Sequence, residues 1–524
     1  MARQGNHIPV TRTGSLPPRI SKSARSTSRP KRPPGRPFKL PRSTSASTSS
    51  SRSGRSGRPS ASPSVAPTPP RRTLSMLEAL PRELIEQIFL YSLNLNLPRA
   101  SPALAAALSR EHIYKLLIIL ACWDDPPDAS SSYKGIGPIL APLDYIPLGI
   151  PQRAKLQEDV FRCRFCTLDR VRDQIPTMML LTIRRQWINN DIVMEPDQQE
   201  ALEQFMERKD NKVATFQGKG PPVQIVPQIR ANPELLRRAQ QPGLHEYELC
   251  VNPMTLIEYR SKTLGTTVTW PALNLKIFPP NLLRGGPKGF SAADVEFLEM
   301  LRITSGNTLP PFNELGPCTF TTVDRRALHT GVNKAIVTQN FVALETLLKI
   351  DELFCRFHGH RTEESVFYTI PSEHYLTVIR LRCDPIQNVR LFQTLLRASA
   401  ESMPIKSTEL TQWMFNLVSM AEQDPAQYGQ ISKFVHWLMD FYIEIENHIE
   451  WARQHPSGAL FYQGLLDPNE EKGRKYIDAV YGPGAKPPKR YIDETSFDAK
   501  HWWLKQAGSE VPPHFVRSPP QTGP

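Results

Sequence analysis

The sequence predicts a mainly α-helical protein behind an N-terminal disordered tail. Three observations carry that prediction. Residues 1–72 hold 16 Lys and Arg and no Asp or Glu. They have few large apolar side chains, so burial there does not offset chain entropy. Beyond residue 75, apolar residues recur at helical spacing in many separate runs. Proline, 51 residues of 524, falls mostly between those runs or at their first turns, where its missing N–H costs nothing.

The formal net charge is +13. The tail alone carries +16, so the rest of the chain holds the difference, a formal −3. Basicity therefore belongs to the tail and says nothing of a basic face on the fold. Seven cysteines, an odd and irregularly spaced set, and the lack of an apolar h-region near the N-terminus predict reduced thiols. The expected location is the nucleus and cytoplasm. An acid-free, Arg- and Ser-rich start also fits a mitochondrial transit peptide, but its prolines disfavour the amphipathic helix such peptides need. The most apolar stretch, Ile113–Trp123, includes Lys115 and is too short to span a bilayer, so no membrane is expected as a partner.

Within the tail (1–74), Lys31-Arg32-Pro-Pro34-Gly35-Arg36-Pro37-Phe-Lys39 resembles an AT-hook, with Pro34 standing where the first core arginine belongs. Three readings stay open. Lys31, Arg32, Arg36 and Lys39 form a nuclear-import signal, a weak contact to nucleic acid, or a merely solubilising cluster. Ser62-Pro63, Thr68-Pro69 and Arg71-Arg72-Thr-Leu-Ser75 fit kinase sites, where phosphate would cancel local positive charge.

Residues 75–123 predict three helices, over about 81–93, 101–108 and 110–121. Pro81 and Pro98 suit first turns, and Ser101 and Ser109 suit N-caps. Leu84, Ile85, Ile88 and Phe89 form one apolar face of the first helix. Residues 124–150 read as a linker. The region 151–305 is predicted to be helical with irregular Pro-rich segments. Within it an amphipathic segment follows Pro176, a helix covers 196–209, and Thr266–Trp270 reads as a short isolated strand. Ser291 caps a helix through Val295, Leu298 and Leu301.

A helical domain is predicted over 320–481. Two of its segments, His329–Leu348 and His374–Leu396, each read as a helix, a break at Asn or Asp-Pro, and a helix ending in Leu-Leu-Lys/Arg. Helix-pair repeats such as ankyrin look like this, although the spacing is longer than ankyrin's and its turn signatures are missing; ordinary helical hairpins fit equally. The helix over about 429–451 is the most periodic, with Ile431, Phe434, Val435, Leu438, Tyr442, Ile445 and Ile449 on one stripe. Residues 482–524 read as a loose tail that Trp502-Trp503 would anchor.

The string Leu80-Pro81-x-Glu83-Leu84-Ile85-x-x-Ile88-Phe89 resembles the opening of F-box proteins. Its continuation, through Leu97-Pro98-Arg99-Ala-Ser101-Pro102 to Trp123-Asp124-Asp125, is similar to a filamentous-fungal F-box-like family. One departure stands out: Ala103–Leu108 occupies the place of the usual Val-Cys-x-x-Trp-like stretch, and Cys122-Trp123 lies downstream. The resemblance implies a three-helix F-box-like module over 75–123. It also implies a Skp adaptor gripped by Leu80, Pro81, Leu84, Ile85, Ile88, Phe89, Leu97 and Pro98. The expected role is then substrate adaptor of an SCF-type, cullin-based ubiquitin ligase, with an unnamed protein substrate. The rival expectation is a helical scaffold whose Leu84/Ile88/Phe89 face lies in its own core.

No residues suggest a reaction. Gly-x-Ser-x-Gly and His-Glu-x-x-His are absent from the sequence, and no paired-carboxylate constellation stands out. Arg284-Gly285-Gly286-Pro287-Lys288 reads as a turn, because Pro287 removes an N–H that a phosphate cradle needs. Cys163-Arg-Phe-Cys166 has no second pair at zinc-finger spacing and reads as structural. His358-Gly-His360 reads as a surface turn. Neither an enzyme nor a cofactor is predicted.

Overall fold

A computed structural model describes residues 75–123, 148–208, 214–222, 233–239, 243–252, 256–305, 321–358, 369–454 and 471–485. The tail with Lys31, Arg32, Arg36 and Lys39, the linker, His360 and Trp502-Trp503 lie outside the described residues. The fold is mainly helical, as expected, but four helices stand where the sequence places three: α1 (Arg82–Ser92), α2 (Leu97–Ala100), α3 (Pro102–Leu108) and α4 (Glu111–Cys122), of which the short α2 is the addition. Ser101 caps α3 by accepting from Leu104 N–H. Ser109 does not cap α4. It closes α3, while Arg110 occupies the α4 N-cap without a side-chain bond. Pro81 is likewise the N-cap of α1 rather than a first-turn residue.

Helix α4 is buried from Leu116 to Cys122, which its nearly continuous apolar sequence allows. It packs on α5 (Ile150–Phe161) and α6 (Leu168–Gln186). Its C-terminal carbonyls lack intrahelical partners, and α5 supplies them. Arg153, fully buried, donates to the carbonyls of Leu120 and Trp123. Gln157, also fully buried, donates to Ala121 O at 2.8 Å and to Asn274 O at 2.7 Å. The amide oxygen of Gln157 accepts from the N–H groups of Lys276 (2.7 Å) and Ile277 (3.2 Å). Helix α6 runs straight through Pro176 instead of starting after it. The proline removes one ladder bond, and the buried residues Val171, Ile175, Met178, Leu181 and Ile183 hold the helix against the core.

Helix α7 (Pro196–Arg208) precedes a four-stranded antiparallel meander: β1 (Ala214–Gly220), β2 (His245–Asn252), β3 (Leu256–Ser261) and β4 (Thr266–Pro271). The segment α8 (Pro233–Ala239) lies between β1 and β2 in sequence. Thr266–Trp270 is thus the last strand of a sheet, not an isolated element. The register aligns Phe216, Leu249, Tyr259 and Val268 in one cross-strand row, and all four are buried. Trp187 lies against this face, edge-on to Tyr259 at 5.8 Å. Gly218 permits the approach, since a Cβ there would stand 2.7 Å from the Trp187 ring.

From residue 280 the chain forms four helix pairs. They are α9 (Pro280–Arg284) with α10 (Ala292–Thr304), α11 (Arg325–Val337) with α12 (Phe341–His358), α13 (Glu373–Arg380) with α14 (Pro385–Ser399), and α15 (Thr408–Gln423) with α16 (Pro425–Gln454). First helices pack on first helices (α9 on α11, α11 on α13, α13 on α15), and second helices do likewise (α10 on α12, α12 on α14, α14 on α16). The two sequence segments with the shared Leu-Leu ending are the second and third pairs of this stack. Stacked pairs of this kind bury in their neighbours what none can bury alone. An Asx side chain caps each later second helix: Asn340 accepts from Ala343 N–H, Asp384 from Ile386 N–H and Asp424 from Gln427 N–H. Ser291 forms a full capping box with Asp294 at α10. The expected stripe of α16 buries Ile431, Phe434, Val435, Leu438 and Ile445. Tyr442 is half-buried, and the Ile449 side chain lies outside the described residues. Helix α17 (Glu471–Val480) covers α14, with Tyr476 OH donating to Leu396 O at 2.9 Å.

One apolar cluster runs from Ile85 in α1 to Val480 in α17.

Candidate partner-docking site

Helix α1 divides its apolar residues between two faces. Ile85, Phe89 and Leu90 are buried at 4%, 1% and 1% exposure, and they share the core with Leu104, Leu108, Ile113 and Leu117. Burying three such side chains stabilises the helix by about 1.5–3 kcal/mol each. The opposite stripe carries Leu84 (44%), Ile88 (40%) and Tyr91 (53%), preceded by Met76 (91%) and Leu80 (36%). The spacing 84, 88, 91 repeats every three or four residues, so one apolar line runs along α1, and Met76 and Leu80 are exposed in the turn before it.

Polar anchors fix the orientation of that line. Glu86, buried on α1, accepts from Arg82 Nε (3.0 Å) and Arg110 Nη1 (3.2 Å) and meets His112 Nε2 at 3.1 Å. These contacts bind α1 to the start of α4. Glu111 pairs with Arg170 of α6 at 3.0 Å. Arg170 also lies 5.3 Å from the ring centroid of Tyr114, which stacks on Phe165 at 4.3 Å. At the other end of α1, Leu93 adopts a left-handed conformation (φ +49°) and its N–H caps Phe89 O. Helix α1 therefore cannot roll to bury the exposed line without breaking these contacts.

Of the eight residues expected to hold a partner, Leu80, Pro81, Leu84 and Ile88 lie at the surface. Ile85 and Phe89 do not; they serve the protein's own core. Leu97 and Pro98 are half-buried, and Leu97 packs against that core. Sequence reasoning treated Leu84, Ile85, Ile88 and Phe89 as one face. An arc that wide splits when its middle is pinned from one side. Met76 and Tyr91 were missed, although extending the spacing of 84 and 88 along α1 reaches Tyr91.

The other sequence candidates gain little chemistry from the fold. The Cys163–Cys166 turn closes through Cys166 N–H to Cys163 O at 3.0 Å. Burial pushes the Cys122 thiol up to about 12 and raises those of Cys163 and Cys166, the opposite of what a nucleophilic thiol needs. Arg284–Lys288 is a turn, with Gly285 at φ +65°. Among the described residues no three His, Cys, Asp or Glu side chains are grouped to hold a metal, and no helix is long and apolar enough to cross a membrane. No family model, curated protein or solved structure matches this chain.

Proposed function

We propose that the protein is a non-catalytic, F-box-like substrate adaptor. In this reading Leu80, Leu84, Ile88 and Tyr91 dock on a Skp adaptor of an SCF-type ubiquitin ligase, and the remainder of the chain carries a protein substrate. Such a protein accelerates ubiquitin transfer by raising the effective concentration of substrate near the charged enzyme. The observation that supports the reading is the exposed apolar line of α1, held outward while the reverse face is locked into the core. An apolar stripe of this length on a rigid helix matches helix-in-groove recognition, where anchors recur every three or four residues.

A second reading, a helical scaffold, draws on a different observation: α4 is joined to α5 and to the segment around Asn274 by buried hydrogen bonds, so the first four helices are part of the main core. It predicts a folded protein that ignores the Skp adaptor. In either reading, a tail that contacts nucleic acid would give salt-sensitive binding that is lost on deleting residues 29–42.

The test is capture of the full chain by a purified Skp adaptor, beside the double substitution Leu84→Asp/Ile88→Asp. Binding that the substitutions abolish, with the circular dichroism unchanged, supports the adaptor reading. A folded wild-type chain that does not bind sinks it.

A further inference from the structure

Two histidines meet where the second helix pair packs on the third. His374 on α13 is 4% exposed, and its Nε2 lies 3.4 Å from Nδ1 of His329 on α11. The other face of His329 looks to α12, with Nε2 3.9 Å from the buried Asp351 carboxylate. Arg325 holds that carboxylate through Nε at 3.0 Å and Nη2 at 3.3 Å, and also donates to Thr369 O. Among the described residues, Nδ1 of His374 has no hydrogen-bond partner.

This geometry selects one arrangement of protons. His329 carries its hydrogen on Nε2, towards Asp351, and accepts on Nδ1 from His374 Nε2–H. His374 Nδ1 is then a bare lone pair. A proton added to His374 would place an N–H donor in the interior with no acceptor. A proton added to His329 would go to Nδ1, against the His374 Nε2–H, and the resulting charge would lie near both Asp351 and Arg325. Two protons would set two cations in ring contact.

We propose that the His329–His374 contact is a proton-sensitive joint, which holds the second and third helix pairs together while both rings are neutral and releases them in acid. The joint lies in the row of first helices. That row is bridged on its exposed side by Asn333 Nδ2 to Thr377 Oγ1 and by Arg380 to Glu409. Among the described residues, the charged groups acting on His329 are Asp351 of α12 and Arg325 of its own helix, and the one acting on His374 is His329. Glu373 of α13 is exposed, and the Glu409 carboxylate of α15 is engaged by Arg380. Burial, and then the neighbouring His329, lower His374 from 6.5 to about 4. Burial also lowers His329, against the pull of Asp351. A histidine whose folded value lies below its unfolded value binds its proton more tightly when released. Closure is thus fully favoured above about pH 6.5 and is lost progressively towards pH 4. At pH 5 the opening equilibrium rises roughly 30-fold over that at pH 7.5. The joint does not depend on the adaptor reading.

The experiment is amide hydrogen exchange on the full chain at pH 7.5 and 5.0, corrected for intrinsic rates, with peptides of α14 and α17 as an internal reference. The expected result is an increase of about 30-fold in opening for peptides of α11 and α13, shrinking to under about threefold in His374→Phe and His374→Gln. The glutamine variant carries the comparison if the phenylalanine variant does not fold. Equal acid responses in the wild type and a folded variant would overturn the proposal, as would a wild-type response no larger at the joint than in the reference peptides.

Discussion

Ile88 and Phe89 are adjacent in the chain and face opposite ways: Ile88 is 40% exposed and Phe89 is 1% exposed. One residue step on a helix is about 100°, so the pair marks the boundary between a surface offered outward and a surface spent on the protein's own stability. Changing both at once would mix a lost contact with a lost core.

Separating them gives the first prediction. Leu84→Asp with Ile88→Asp changes stability by no more than about 0.5 kcal/mol per site, as surface substitutions do, while weakening adaptor capture more than about tenfold. Phe89→Ala leaves a cavity and costs about 3–5 kcal/mol. Urea denaturation run beside the binding assay distinguishes the two effects; a large stability loss from the Leu84/Ile88 pair would contradict the exposed placement.

Gln157 joins α5 to the end of α4 and to the segment carrying Asn274, Lys276 and Ile277. Gln157→Leu keeps the volume and removes every bond. Each buried group left unpaired costs about 1–3 kcal/mol, so we expect a loss of about 3 kcal/mol or more in denaturant unfolding. A loss below about 1 kcal/mol would mean that water replaces the amide.

Gly331, in the middle of α11, stands against the backbone of α9: a Cβ there would lie 1.9 Å from Leu283 O. Helix propensity by itself favours alanine by about 1 kcal/mol. Backbone overlap reverses the sign, and Gly331→Ala should destabilise by about 1–3 kcal/mol. Thermal denaturation decides, since a stabilised variant would show that α9 does not sit on this helix.

Glu299 and Arg302 form an ion pair buried on α10, at 2.5 Å and 2.9 Å. Burial by itself would raise the Glu299 carboxyl. Arg302, with Lys349 and the Thr346 hydroxyl, more than offsets that and holds it below its ordinary value. The depressed value means that the pair's stabilisation is present above the ordinary carboxylate range and is lost as pH falls through the lower folded value. Arg302→Met removes the charge's main partner and leaves only Lys349 and Thr346, costs about 3–5 kcal/mol near neutrality, and reverses the trend, so that acid partly restores stability. Stability curves of both proteins from pH 7 to 4 check the sign.

Cys122 gives a chemical probe of the same core. Its thiol, pushed up to about 12 by burial, should resist alkylation at pH 8 in the native protein and react once denaturant opens α4. Labelling at the native rate of an exposed cysteine would contradict the burial of that helix.

Much of this architecture was legible in the sequence because helices advertise themselves locally. Caps such as Ser101 and Ser291, proline breaks and the stripe of α16 depend on residues within a few turns of one another. The sheet was not legible. Its strands are short, β1 and β2 are separated by some two dozen residues, and only the register that aligns Phe216, Leu249, Tyr259 and Val268 makes a buried face of them. Pro176 misled for a related reason: tertiary packing carries α6 across a residue that local rules treat as a break.

For the candidate site, the sequence by itself determined that an apolar helix follows Leu80-Pro81 and that a charge-segregated tail precedes it. It could not assign faces. Ile85 and Phe89 turn inward, while Leu84 and Ile88 turn outward, because Glu86 is pinned by Arg82, Arg110 and His112. Two of those partners lie more than twenty residues away. The meeting of His329 with His374, and of Gln157 with Asn274, likewise exists only once distant segments are brought together. Periodicity is a property of neighbours along the chain; which side of a helix becomes surface is decided by what the rest of the chain places against it.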